Sequence, residues 1–326
     1  MSNKSGVIIF GGSGFIGTHT ARYLLDNNFT EKVYCVDIKK PRYISDRIEY
    51  IEHDLRSPFN RAFSDIATVY NFAAVHTTPG HADREYFETN INGAKNVCAF
   101  AEKNRINTIV FTSSISPYGS SEALKDENSL TQPKSAYGSS KLAAEYIHKC
   151  WLEGSPKRKL AIVRPGVVFG HGEGGNLTRL YKALKGGYFF YPGRKDTKKA
   201  CIYIKDLVCA LYQMSMSDER YQLYNMCYPE SPSIQAIVNA IAGATGVRKN
   251  CPVVPGPILR ASAGTISFAF KLTGIKGGIH PERVEKLMIS TNISGKKLKK
   301  SPYAVRFFLE EAIRDWYNDC EKKGLF

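Results

Sequence analysis

The stretch VIIFGGSGFIG, residues 7–17, constrains the fold more than any other part of the chain. A β-branched run ends in glycines at every third position, Gly11, Gly14 and Gly17. A helical pattern over 14–28 begins among them, with Phe15 and Ile16 in its first turn. Glycine allows a tight turn, a close approach of backbone to an anion and close packing of helix on strand, while a helix N-terminus offers N–H groups that have no partner of their own. A strand, such a turn and a helix open a parallel α/β unit able to hold a phosphate.

The first half of the chain repeats that rhythm. Strands are expected at Val7–Phe10, Val33–Asp37, Glu49–His53, Thr68–Phe72, Thr108–Thr112 and Leu160–Val163, with helices near 83–104 and 137–153. Strands separated by helix-length segments argue for a buried parallel sheet covered on both faces. The fold class is α/β: a Rossmann-type doubly wound parallel sheet with a smaller C-terminal α/β substrate lobe. Residues 1–165, with 200–228 returning to them, are expected to form the dinucleotide domain, and 166–199 and 229–326 the lobe. Beyond Pro165 the pattern loosens, with helices expected near 176–186, from Asp206 to about Met216, after Ser233, and near 258–272 and 281–290. Strands are expected at CIYI (201–204) and LYNMC.

Twenty residues after Gly17, the second strand VYCVD ends in Asp37. An acid there can hydrogen-bond a ribose 2′-hydroxyl and repels a 2′-phosphate, which favours NAD over NADP; Lys39, Lys40 and Arg42 weaken that preference without reversing it.

Hydrophobic residues make up 43% and charged ones 23%, so a globular chain is expected. The start, MSNKSGVIIFGG, has an apolar run too short for a signal peptide, and Ile258–Leu272 falls short of a membrane span, so a cytoplasmic protein is expected. Eight cysteines without Cys-x-x-Cys spacing read as free thiols, mostly buried, with neither a disulfide frame nor a metal site. Forty-five basic against thirty acidic residues give a charge of +15. The bases are dispersed, so they read as solvated surface or as an attraction for an anionic small molecule, with no nucleic-acid partner.

SAYGSSK, residues 135–141, places Tyr137 and Lys141 one helical turn apart on one face. They are either an exposed pair or an acid–base pair. A phenol is a poor base at neutral pH, and a neighbouring ammonium is expected to favour the phenolate.

Together the glycine spacing, Asp54-Leu55, Ala73-Ala74, Asn90, TSSISPYG and SAYGSSK resemble the extended short-chain dehydrogenase/reductases, in the NAD-dependent epimerase/dehydratase group. The match runs in order from residue 7 to about 229, and the segment to about 318 fits that family's looser substrate lobe. The resemblance implies that Asp54 and Leu55 line an adenine site and that Ala73 and Ala74 pass beside the cofactor. It further implies that Asn90 positions the backbone of the site, with Phe15, Ile16 and Pro165 as further cofactor contacts. It makes Tyr137 and Lys141 catalytic and selects Ser114, four residues before Tyr118, over Ser113 as the serine that bonds the substrate oxygen.

Relatives that dehydrate sugars carry an acid just after this serine. Here Ile115, Ser116 and Pro117 follow, which disfavours a dehydratase. The expectation is a nucleotide-sugar epimerase acting at C4, the alternative being a dehydrogenase or reductase of a nucleotide sugar or of a 3β-hydroxysteroid-like alcohol. Ser116, His76 and Lys199 are the substrate-side candidates; Lys199 stands where nucleotide-sugar relatives place an arginine toward the diphosphate, and His76 is either a contact or structural. Val167 departs from the asparagine such relatives have after Arg-Pro-Gly, and the apolar stretch near 258–272 would suit a greasy substrate or a membrane surface. A homodimer through the helices near 83–104 and 137–153 is implied as well.

Overall fold

The computed structural model describes residues 6–77, 80–259, 288–303 and 305–323. Seven parallel strands form one sheet: β1 (Gly6–Phe10), β2 (Val33–Asp37), β3 (Ile48–Glu52), β4 (Ile66–Asn71), β5 (Thr108–Thr112), β7 (Lys159–Pro165) and β11 (Tyr221–Met226). Their order is β11-β7-β5-β4-β1-β2-β3. The order reverses between β1 and β4, and a crevice at the carboxyl ends of strands at such a reversal is where parallel α/β sheets take ligands.

Strand periodicity builds two cores from one sheet. Val7 and Ile9 face a core containing α1 (Phe15–Asp26) and α5 (Ile204–Met216), whereas Ile8 and Phe10 face a core containing α2 (Asp83–Lys103) and α3 (Ala136–Glu153). β7 repeats the split, with Ala161 and Val163 on the first side and Leu160 and Ile162 on the second. Both faces are therefore covered, which is why these strands read as unbroken apolar runs. Phe10 meets Phe59 and Phe100 edge-on at 5.6 and 5.4 Å, a geometry that aromatic quadrupoles favour.

The rest is built from shorter pieces: β6 (Ser121–Lys125), β8 (Val167–Phe169), α4 (Asn176–Lys185), β9 (Tyr191–Pro192), β10 (Cys201–Tyr203), α6 (Ile234–Thr245), β12 (Val253–Val254), β13 (Thr291–Ile293), α7 (Lys296–Lys300) and α8 (Leu309–Lys323). Three two-stranded parallel pairs, β8–β10, β9–β12 and β6–β13, knit them together. The CIYI strand thus pairs with β8 and not with the main sheet, and Ile204 already belongs to α5, which starts two residues before Asp206. α8 presents Ala312, Ile313, Trp316 and Cys320 as a buried stripe and packs on α6.

The expected helices near 258–272 and 281–290 lie for the most part outside the described residues. The cysteines are free; Cys150 is exposed and Cys251 half-buried, so the expectation of mostly buried thiols fits the other six. No helix among the described residues is long and apolar enough to cross a membrane.

Candidate functional site

The glycine turn sits at the sheet's point of reversal. Gly11 has φ +77°, and a Cβ there would lie 2.6 Å from the Ala73 amide nitrogen, so the chain past β1 and the chain past β4 touch backbone to backbone. A Cβ on Gly17 would run into the Gly11 carbonyl oxygen and lie 2.7 Å from Gly12 Cα. Gly14 caps α1 and is exposed, and no side chain caps the first turn that carries Phe15 and Ile16. Asp37, at the end of β2, accepts the Ser13 N–H at 3.0 Å and the Lys39 N–H at 3.1 Å, which fixes its carboxylate beside the turn. An open helix N-terminus, a cradle that any Cβ would fill and an acid at the neighbouring strand end fit a dinucleotide.

Asp54 lies past β3. Its carboxylate accepts the Arg56 Nε at 2.8 Å and the Arg56 backbone N–H at 2.9 Å, and the guanidinium holds its pKa below the usual range. Leu55 is buried, and its carbonyl takes the Asn96 amide at 2.7 Å. Ala73 and Ala74 are half-buried beside Gly11. The Pro165 carbonyl, at the end of β7, accepts the Ile115 N–H at 3.2 Å.

Asn90 is buried on α2 and acts as a clamp. Its side-chain oxygen accepts the Val75 N–H at 3.0 Å, and its amide donates to the Val75 carbonyl at 3.2 Å and to Ser140 Oγ at 2.9 Å. Ser140 in turn donates to the Tyr137 carbonyl at 2.9 Å. One side chain therefore joins the chain past β4 to the helix that carries Tyr137 and Lys141.

The Ser135 hydroxyl caps α3 by accepting the Gly138 N–H at 3.1 Å, which starts the helix one residue before Tyr137. Ser114, past β5, sits beside the Tyr137 phenol, donates to Ser116 Oγ at 3.0 Å and accepts the Ser116 N–H at 3.1 Å. Ser114 and Tyr137 are thus neighbours, and Lys141 follows one helical turn after Tyr137 on α3. Lys141 is only 2% exposed, with Nζ 4.3 Å from the Phe111 ring centroid, and no hydrogen bond reaches it among the described residues. An ammonium donor left without an acceptor beside the site is a second feature that fits a bound cofactor.

The electrostatics differ from the expectation. Burial raises the Tyr137 pKa, with the Ser114 hydroxyl opposing it. Burial lowers Lys141 to about 7, with Glu145 opposing. In the chain alone, desolvation is the largest influence on each group, because each charged form has lost its water, and neither group is among the causes of the other's shift.

Beneath Lys141 lies a cluster that the sequence did not single out. Glu145, fully buried one turn along α3, accepts Arg164 Nε at 2.8 Å, Arg164 Nη2 at 2.6 Å and the Ser113 hydroxyl at 2.6 Å. Burial works against the Arg164 charge and Glu145 overcomes it, so the guanidinium pKa ends above its ordinary value. Ser113 is thereby tied into the core, while Ser114 is left to the site. His148 stacks on Phe111 at 4.1 Å, and burial lowers its pKa to about 4, so it is neutral. The spacing Tyr-x-x-x-Lys-x-x-x-Glu on one helix face was the available signal for Glu145.

Of the substrate-side residues, Ser116 hydrogen-bonds within this group. His76, past β4, keeps an exposed surface, yet loss of water lowers its pKa and the Lys141 charge acts on it in the same direction. Lys199 donates to the Ile289 carbonyl at 2.7 Å, and burial lowers its pKa to about 8. Val167 is the first residue of β8 and pairs with Cys201.

A doubly wound sheet with a glycine turn at its point of reversal and a Ser–Tyr–Lys group at its carboxyl edge defines a dinucleotide-dependent class of protein. The chain belongs to the NAD dependent epimerase/dehydratase family, whose profile matches residues 7–227, and its cofactor is NAD. It is 27% identical over 312 residues, covering 94% of this chain and 92% of the relative, to N-acetyl-alpha-D-glucosaminyl-diphospho-ditrans,octacis-undecaprenol 4-epimerase of Escherichia coli O157:H7. It is 25% identical to the bifunctional UDP-glucose 4-epimerase and UDP-xylose 4-epimerase 1 of Pisum sativum, over 81% of this chain and 89% of that one. Its fold matches that of UDP-glucuronic acid 4-epimerase from Bacillus cereus in complex with NAD, with a TM-score of 0.73 at 19% identity over 98% and 99% of the two chains.

Proposed function

We propose that the protein is an NAD-dependent 4-epimerase of a sugar carried on a diphosphate, and that the carrier is a polyprenol. The similarity over nearly its whole length to an epimerase named for a diphospho-undecaprenol sugar carries this reading. Val167, where nucleotide-sugar relatives are expected to have asparagine, supports a carrier other than a nucleotide. The absence of an acid at Ile115 and Ser116 supports epimerisation over dehydration.

Bound NAD supplies reversible uptake and return of a hydride at the sugar carbon. Tyr137 takes the proton of the C4 hydroxyl as the carbon is oxidised and returns it when the ketone, having turned its other face, is reduced. Ser114 donates to the same oxygen and holds it against Tyr137. Lys141, charged, supports the phenolate from below. Gly11, Gly14, Gly17 and the α1 amides hold the pyrophosphate, Asp37 the ribose, and Asp54 and Leu55 the adenine; Ala73, Ala74 and Pro165 border the cofactor, and Asn90 acts through the backbone it clamps. Residues 166–199 and 229–326 form the lobe that takes the sugar, with Lys199 toward the diphosphate and Ser116 and His76 toward the ring. A homodimer through α2 and α3, which pack on each other and leave Phe87 and Tyr146 exposed, completes the reading.

The pea similarity favours UDP-sugars as a second reading. The test is to incubate the protein with a polyprenyl-diphosphate N-acetylglucosamine and, separately, with UDP-N-acetylglucosamine, and to look for the C4 epimer by NMR. The expected result is epimerisation of the lipid-linked sugar, lost by about 10³-fold in Tyr137→Phe. Epimerisation of the UDP-sugar alone would establish the second reading, and accumulation of reduced cofactor with no epimer would refute both.

A further inference from the structure

One corner of the lobe has a composition unlike the rest of the chain. Residues 176–190 and 246–259 carry five basic side chains, Arg179, Lys182, Lys185, Arg248 and Lys249, and no acidic one, whereas the whole chain has two acids for every three bases. The fold brings the two stretches together, because β12 pairs with β9 and the Tyr191 N–H donates to the Pro252 carbonyl at 2.8 Å. All five bases are exposed. So are four large apolar side chains of the same stretches: Tyr188 at 68%, Ile258 at 58%, Val253 at 40% and Phe190 at 38%. Their neighbours Tyr181, Leu184 and Tyr191 already fill the core beneath, so packing does not account for them.

We propose that this corner docks on an anionic lipid bilayer, with the cations on headgroup phosphates and the four apolar side chains in the interface between headgroups and acyl chains. Cations beside exposed aromatics are the combination that favours the bilayer surface: the charges are drawn to anionic lipid, and the rings stop at interfacial depth. Lysine and arginine reach outward while their stems lie along apolar surface, so both kinds of group can engage at once. A nucleic acid would reward the cations and the rings but leaves Val253 and Ile258 without use, which favours lipid. The inference goes beyond the reaction proposed above and does not depend on it, because binding to vesicles is read without turnover.

The experiment is flotation of the full chain with vesicles of phosphatidylglycerol and phosphatidylethanolamine, against vesicles of phosphatidylcholine alone. The wild type is expected to float with the anionic vesicles, less so at high salt, and not with the neutral ones. The paired change Arg248→Glu, Lys249→Glu is expected to lower partitioning by about 25-fold or more, since each charge near the surface contributes about fivefold. The pair Tyr188→Ser, Phe190→Ser is expected to lower it about tenfold at both salt concentrations. Unchanged melting temperature and NAD binding show that both variants are folded. A wild type that stays with the soluble fraction, variants that float as the wild type does, or retention on a DNA duplex without vesicle binding would each overturn the proposal.

Discussion

Replacing Lys141 by methionine is expected to make the protein more stable and nearly inactive. The amine is 2% exposed, and its pKa falls from 10.5 to about 7, with burial the largest cause. At about 1.4 kcal/mol per pKa unit, this fall corresponds to a ceiling of roughly 5 kcal/mol against the charged form. Exchanging buried charge for packed apolar groups stabilises proteins by about 1–4 kcal/mol, which is the gain expected of the variant. The unfolded chain keeps the lysine proton up to about pH 10.5, whereas the folded one releases it near 7. In that window the unfolded state binds the extra proton, so wild-type stability rises with pH there, and below the window the penalty is complete. Methionine does not titrate. Its advantage is therefore full at about pH 6, shrinks above about pH 7 and is gone near pH 10.5. Urea denaturation of both proteins across that range measures the difference, and turnover is expected to fall by about 10²–10⁴-fold. A stability difference that is the same at acid and alkaline pH, or a variant that is weaker than the wild type in acid, would refute the idea that desolvation governs this amine.

Two further outcomes follow from the geometry. Gly17→Ala places a methyl group against the Gly11 carbonyl, backbone that cannot yield, and is expected to abolish NAD binding in a titration while the cores persist by circular dichroism; retained affinity would contradict the cradle. Glu145→Ala leaves Arg164 buried without its carboxylate and removes the Ser113 acceptor, so it is expected to cost about 3–5 kcal/mol in urea denaturation, and a loss below about 1 would show that water replaces the pair.

The parallel sheet was legible because its inner strands are buried on both faces and read as apolar runs between helix-length segments. β9, β12 and β13 were not legible, since strands of two or three residues carry no period. β6, SEALK, is polar and half-exposed, and its partner β13 lies some 170 residues away. The glycine turn, Asp37, Tyr137 and Lys141 stand in local patterns, whereas Ser114 was singled out by the family resemblance. The Glu145–Arg164–Ser113 cluster was harder to read: the helical spacing after Lys141 points to Glu145, but its partners come from two different strand ends. The sign of the Tyr137 and Lys141 pKa shifts escaped the sequence for a related reason: spacing shows which groups are neighbours, but not how much water each has lost.

The β6–β13 pair has a mechanical meaning. β6 continues from the loop bearing Ser114 and Ser116, and within it Glu122 takes the Ser290 N–H at 3.0 Å and pairs with Arg194. A force that parted β6 from β13 would therefore be felt first by the loop that carries Ser114 and Ser116, although the two strands are far apart in sequence.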